Sequence, residues 1–255
     1  MKKFLVVLLA VLAVAAAYML LTRDREIPVT IIEDRMRIGD QESTGKRWYA
    51  KDRARIEVVM GKHSVTSVAR LDKGEVWVCD PKKRTCTVHD INELKTEMRK
   101  MNEQLLEQAR RDPGWRQDLN DLTRVLSGDY EIRVGKVYTD DSGRKVRKVG
   151  ARVGNVFRYE AVVTWDERML DGIDDVGEAF TILGGAEGAG YSSYQWQKKA
   201  REYESWNLTL QKRVWLRLPG AGNRSDVVSI TVVKVASGKA KRSLFEMPSG
   251  YRVVR

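Results

Sequence analysis

The sequence has few of the residues that most often carry chemistry or covalent cross-links. Its 255 residues include two cysteines and two histidines. Two cysteines exclude a disulfide-dense scaffold and a zinc site made of cysteines alone. With five prolines, 20 glycines and 42% hydrophobic residues, the chain is not collagenous, low-complexity or wholly disordered. Its length allows a hydrophobic core that needs no such cross-links.

Catalytic signatures are equally scarce. The segment Gly39–Arg47 is a near miss for a phosphate-binding loop, because five residues separate its glycines and Arg47 replaces the required Ser or Thr. No serine lies in a Gly-x-Ser-x-Gly motif. Asp174 and Asp175, in the irregular insert 166–205, are the weak remaining candidates for an acid–base pair. We therefore expect a protein that is not an enzyme and binds no metal or cofactor.

One long apolar run is present, at the N-terminus. Lys2 and Lys3 precede an uninterrupted apolar stretch from Phe4 to Leu21. As a helix it would be about 27 Å long, just enough to cross a bilayer core. Basic residues before such a run are typical of an export signal. Cleavage within Ala13–Ala17 would leave no polar segment before the cut, which favours a retained signal-anchor over a cleaved signal.

The predicted location is therefore the cell envelope. Residues 1–26 would form the signal-anchor or signal peptide with a short tether, and residues 27–255 a single domain. That domain would face the periplasm from the inner membrane, or be secreted into the periplasm if the leader is cleaved.

The two cysteines suggest a disulfide. Cys79 and Cys86 bracket a turn that contains Pro81, with strand-like sequence on both sides. Paired across a hairpin, they can approach to bonding distance, and an exported protein meets an oxidising compartment. Two unpaired buried thiols are the alternative.

The periodicity predicts an α+β fold. Residues 27–88 alternate with period two and carry closely spaced turn signals, as in an antiparallel meander. From Asp90 the apolar residues recur at three and four residues, which predicts a helix that begins at that residue and ends before Pro113. A second helix is expected to end at Gly128, and strand periodicity then resumes.

The chain is basic, with a formal net charge of +11. Nucleic acid is an unsuitable partner for an exported domain, so an acidic protein partner or anionic headgroups are the expected targets. The candidate contacts are five short basic clusters: Lys82–Arg84, Arg144–Lys145, Arg147–Lys148, Lys198–Lys199 and Lys239–Arg242. The alternative is that they are solvated edge and turn residues.

Three groups of residues resemble one family. These groups are Arg53–Glu57, Val68–Val78 with Asp80–Lys83, and Ser243–Tyr251, and they are similar to sheet-forming segments in a family of exported proteins whose fold resembles the periplasmic lipoprotein carriers LolA and LolB. The resemblance implies an incomplete antiparallel β-barrel, or half-barrel, capped by helices. Relatives of that fold bind lipoprotein acyl chains or act as envelope sensors.

Two functions follow as hypotheses. In the first, a half-barrel cavity binds a lipid or acyl chain, and a helical lid covers it. The candidate ligand-binding residues are Trp77, Met98, Met101, Leu105, Trp115 and Leu119. In the second, a membrane-tethered domain with a filled core binds a protein partner or acts as a sensor.

Overall fold

The computed structural model describes residues 25–170, 179, 208–217, 219 and 226–254. The apolar run, most of the 166–205 insert, and with it Asp174 and Asp175, lie outside the described residues. In the part of the chain that is described, no helix is long and apolar enough to cross a membrane.

Twelve strands and two helices make up the described fold. The strands are β1 (Glu26–Ile38), β2 (Gln41–Tyr49), β3 (Arg53–Met60), β4 (His63–Arg70), β5 (Glu75–Asp80), β6 (Thr85–Asp90), β7 (Arg133–Thr139), β8 (Lys145–Val153), β9 (Phe157–Thr164), β10 (Leu208–Leu216), β11 (Asp226–Lys241) and β12 (Arg252–Val254). The helices are α1 (Ile91–Arg111) and α2 (Leu119–Ser127), with 3₁₀ turns at Pro113–Trp115 and Arg242–Phe245.

All the strands belong to one open sheet. Their order is β12-β6-β5-β4-β3-β2-β1-β11-β10-β9-β8-β7. One meander runs from β1 to β6 and a second from β7 to β11, and the long β1–β11 pair joins them from Glu26↔Lys241 to Ile38↔Val228. The sheet is not closed, which agrees with the predicted half-barrel. The prediction of an entirely antiparallel sheet was wrong, because β12 pairs with β6 in parallel.

α1 begins and ends, and α2 ends, where the sequence predicted. Asp90 caps α1, since its carboxylate accepts hydrogen bonds from the backbone N–H groups of Asn92 and Glu93 at 2.7 and 3.0 Å. Pro113 follows the end of α1. Gly128 ends α2 with a φ of 74°, a left-handed conformation that glycine adopts without steric cost.

The helices pack against one face of the sheet, which we call the inner face. In α2, Leu122 and Val125 are fully buried against β8 and β9. In this cluster the ring centroids of Tyr130 and Phe157 lie 5.3 Å apart. A second inner cluster contains Ala54, Ala69 and Val76 of the first meander and contacts Ile91 of α1.

Among the described residues, the opposite, outer face is covered over the first meander by the C-terminal segment. There the 3₁₀ turn brings Phe245, which is fully buried, onto Val68 and Trp77. Arg55 donates a hydrogen bond to the carbonyl oxygen of Leu244 at 3.1 Å, and Arg70 lies 2.6 Å from Glu246. The C-terminal segment is thus fixed by both apolar packing and charge.

The predicted disulfide is present beneath this segment. Cys79 of β5 lies directly opposite Cys86 of β6, and both are completely buried. The bond therefore joins two adjacent strands inside the outer cluster of Trp77 and Phe245.

Removing this bond should destabilise the fold. For the double variant Cys79→Ala/Cys86→Ala we expect a loss of about 2–3 kcal/mol in the free energy of unfolding, because the cross-link constrains a short loop of the unfolded chain. Guanidinium unfolding of the variant and of the wild type with and without reductant measures it. Equal unfolding midpoints in all three samples would contradict the prediction.

Candidate binding surface

The structure divides the predicted lid residues into separate groups. Leu105, Trp115 and Leu119 all contact the inner cluster of β8–β10, where Trp115 is 4% exposed. Met98 is buried in a small cluster of its own with Leu94. Met101 lies between these groups and is half-buried. We call Met98, Met101 and Leu105 of α1 the lid stripe. It is therefore deeply buried at Met98 and less buried in its middle, at Met101.

Trp77 is not near the lid, which corrects its place among the predicted ligand-binding residues. Its neighbour Val76 points to the inner face, so Trp77 points to the outer face. There the indole Nε1 donates to Glu75 at 2.9 Å, and the Arg70 guanidinium and Lys73 ammonium lie 5.7 and 5.1 Å from the ring. Trp77 has a structural role under the C-terminal segment.

Charged residues cross the inner face between its two apolar clusters. Asp34 is 4% exposed, and its Oδ2 lies 2.5 Å from Nε of Arg47. Burial lowers the pKa of Arg47, but the charges and hydrogen bonds of Tyr49 and Asp34 outweigh it and raise that pKa above its ordinary value. A methyl group at Gly45 would lie 2.3 Å from Asp34 Oδ1, so a glycine faces this carboxylate.

Lys212 of β10 belongs to the same inner charged group. Burial, and then the charge of Arg47, lower the pKa of Lys212 to about 8, against a smaller opposing effect of Asp34. A lysine with this pKa is largely charged at neutral pH and loses its proton in mild alkali.

The outer face of β1 and β7–β11 carries three rows of side chains that run across the strands. Residues directly opposite in antiparallel pairs share one face, so the pairing registers define the rows. The first row is Arg133, Gly150, Glu160, Arg213, Ser229 and Arg37; the second is Lys148, Val162, Gln211, Thr231 and Arg35; the third is Arg152, Arg158 and Trp215.

These rows are strongly basic. They contain seven cations, namely Arg35, Arg37, Arg133, Lys148, Arg152, Arg158 and Arg213, and a single acid, Glu160. Glu160 is itself ion-paired with Arg158. Arg152 lies directly opposite Arg158, an arrangement of like charges that destabilises a sheet. On β2 the sign changes, because Glu42 lies opposite Arg37. We call the three rows the basic face.

Three connected depressions follow the basic face. The largest, about 670 Å³, lies over β7–β11 and includes Arg133, Lys148 and Arg213 in its lining. A second, about 310 Å³, shares Arg213 and adds Arg37 and Trp215. The third, about 280 Å³, shares Trp215 and adds Arg152. We call these three adjacent depressions the groove; their lining extends from β7 to β1, and the smallest lies beside Trp215.

Trp215 is the aromatic centre of this groove. It is half-buried, and the Arg158 guanidinium lies 4.9 Å from its ring centroid. Stacking on the aromatic ring orients the guanidinium, and its Nε and Nη2 groups both donate hydrogen bonds to the carboxylate of Glu160. The floor of the groove is low at Gly150, where a methyl group would lie 2.9 Å from the carbonyl oxygen of Tyr159.

Sequence reasoning identified only Lys148 of this groove. The other cations lie far apart in sequence, and the register of five strand pairs brings them together. The alternation of buried and exposed residues within β9 and β10 could have indicated them, because it puts Arg158 and Arg213 on the face of the sheet away from their buried neighbours in sequence.

No family model matches the chain, and no curated protein matches its sequence significantly. A solved structure of an uncharacterized conserved protein from Thermus thermophilus is 10% identical, with a TM-score of 0.46, over 94% of this chain and 99% of that one. MucB in complex with MucA(peri) is 10% identical, with a TM-score of 0.39, over 89% of this chain and 57% of that one. MucA/MucB of Pseudomonas aeruginosa gives 11% identity and a TM-score of 0.37. The chain spans less than two thirds of these two MucB chains, and TM-scores below 0.5 establish neither a common family nor a shared function.

The Lys212 pKa gives a testable pH dependence. Because its pKa is lowered in the folded protein to about 8 from an ordinary 10.5, the unfolded chain binds more protons between these values, and the free energy of unfolding rises with pH there. In Lys212→Met the cost of burying the charged ammonium group should be missing. The free energy of unfolding of the variant should therefore exceed that of the wild type most near pH 7.

Urea unfolding of both proteins from pH 7 to 9.5 measures the difference. Lys212→Arg is the matched control, because its charge persists across the whole range and should keep the cost of burial at high pH. Parallel stability curves for the wild type and Lys212→Met would refute the assignment.

Proposed function

We propose that this protein is a non-enzymatic binding module of the cell envelope that recognises an acidic protein partner through the basic face. The observation that carries the proposal is the excess of cations on an outer sheet face, seven against one paired acid in the three rows. Like charges placed side by side reduce stability, and an anionic partner would relieve their repulsion, so their arrangement favours a role in binding.

The proposed compartment decides between kinds of anionic partner. The apolar run Phe4–Leu21 favours export, and the buried Cys79–Cys86 disulfide is compatible with an oxidising compartment. An exported domain does not meet the genome. A partner protein with an acidic segment can both neutralise the arginines and fill a groove of this size.

Electrostatic complementarity of this kind sets association rate and selectivity more than affinity. Several arginines present planar guanidinium groups, which bind carboxylates in pairs of hydrogen bonds. Arg213 is central, because it lines both of the larger depressions. The proposed recognition therefore depends on its charge.

Charge reversal at Arg213 tests the proposal. We expect Arg213→Glu to weaken binding of a fluorescent ten-residue glutamate-rich peptide about fivefold or more, since one exposed ion pair contributes up to about 1 kcal/mol and reversal adds repulsion. Fluorescence anisotropy at low and moderate salt measures it, and the binding should weaken as salt increases.

The control is Lys100→Glu, an equal charge change at an exposed residue of α1, on the opposite side of the sheet from the basic face. It should bind the peptide as the wild type does. If Arg213→Glu bound normally, or if both variants lost affinity equally, the basic face would not be the recognition surface.

A second candidate function is the binding of an acyl chain under the helices. It is favoured by the half-buried middle of the lid stripe, where Met101 and Leu105 lie between deeply buried residues. An unbranched thioether there can adapt to an irregular apolar ligand. Burial of a chain would supply roughly 25 cal/mol per Å² of apolar area.

Native mass spectrometry of the gently extracted protein tests the second candidate. A bound lipid should co-purify, and uptake of a fluorescent fatty acid should fall several-fold in Met101→Asp. Gln104→Asp, at an exposed position of the same helix, should leave uptake unchanged. A clean apo mass together with no uptake by the wild type would eliminate this function.

A further inference from the structure

One row of the basic face carries three of its seven cations across the strands. Arg133 lies on β7, Arg213 on β10 and Arg37 on β1, and Glu160 of β9, which is ion-paired with Arg158, lies between the first two. Two of the three depressions follow this row. These three arginines therefore lie on a line perpendicular to the strand direction.

The spacing of this row suits an extended peptide. Adjacent strands lie about 4.8 Å apart, so Arg133 and Arg213 are separated by about 14 Å and Arg213 and Arg37 by about 10 Å. Acidic residues four positions apart point to the same side of an extended chain and lie about 13 Å apart. Flexible arginine side chains can absorb differences of a few ångströms.

The exposed edge strand β7 offers the competing mode, in which a partner strand pairs with it. Its Val137 and Tyr138 are 46% and 39% exposed. However, the β7–β8 register shifts between Val134 and Val137, and Lys136 lies within the shift. Bulges and lysines are features that discourage pairing at sheet edges.

A second copy of this chain is a poor occupant. Two basic faces would bring like charges together, and the whole chain has a net charge of +11. The charge complementarity favours a partner segment rich in Asp and Glu.

We infer that the acidic segment of the partner lies in extended conformation across β7–β11 and β1, with its acidic residues on Arg133, Arg213 and Arg37. This inference rests on the proposed function and specifies how the basic face is used. A segment of about nine residues reaches from the first of these arginines to the last. Trp215, between Arg213 and Arg158, offers an apolar contact beside the path.

Two nine-residue peptides of equal composition test the geometry on the full-length protein. One has glutamate at positions 1, 5 and 9 and serine elsewhere, and the other has its three glutamates together at one end. We expect the spaced peptide to bind at least threefold more tightly, because only it can reach all three arginines.

Single charge reversals locate the path. Arg37 lies five strand spacings, about 24 Å, from β7, so a segment added to the β7 edge cannot contact it. If the segment crosses the strands, Arg37→Glu and Arg133→Glu should each weaken binding of the spaced peptide about fivefold, whereas Lys100→Glu on α1 should not. Equal unfolding midpoints of all variants exclude loss of folding as the cause.

The outcomes separate the inference from the proposed function. Suppose that Arg133→Glu weakens binding, Arg37→Glu does not, and both peptides bind equally. The inference that the segment lies across the strands is then overturned, and the proposal of an acidic partner is retained. If no reversal matters, both fall. If vesicles with 30% anionic phospholipid bind in an Arg213-dependent way and the peptides do not, the face binds a membrane surface and both fall.

Discussion

The pairing of β1 with β11 is the constraint on which the architecture depends. It joins two meanders that would otherwise be separate sheets, and it extends over the whole of β1. It also determines which charged residues of the two meanders lie near one another on each face. On the inner face it brings Asp34 and Arg47 of the first meander near Lys212 of the second. On the outer face it aligns Arg37 with Arg213.

The two faces of the sheet accommodate charged side chains in different ways. On the inner face, Asp34 and Arg47 are withdrawn from water and compensate each other at close range. On the outer face over the second meander, the cations stay exposed, where water screens their repulsion and the cost of placing them side by side is modest. An inner network of this kind fixes one arrangement of the core, whereas the exposed rows remain available to a partner. The inner ion pair is therefore structural in character, and the exposed rows are the surface on which we propose that the partner binds.

Local patterns predicted the local structure well. The caps at Asp90 and Gly128 and the disulfide between Cys79 and Cys86 follow from short-range chemistry, and all three were confirmed. What failed depended on long-range pairing. The parallel strand β12 has only three residues, too few for a periodic signal. Trp77 was placed near the lid because strand alternation gives two faces without saying which one the helices cover. The basic face was missed because its members meet only through register.

The position of β11 near the end of the chain has a consequence for biogenesis. The first strand of the domain finds its second partner, β11, only when the segment up to Lys241 has emerged, so the two meanders cannot be joined while the polypeptide is still being delivered. The first meander pairs strands that are neighbours in sequence, so it can form before the second half of the sheet is available.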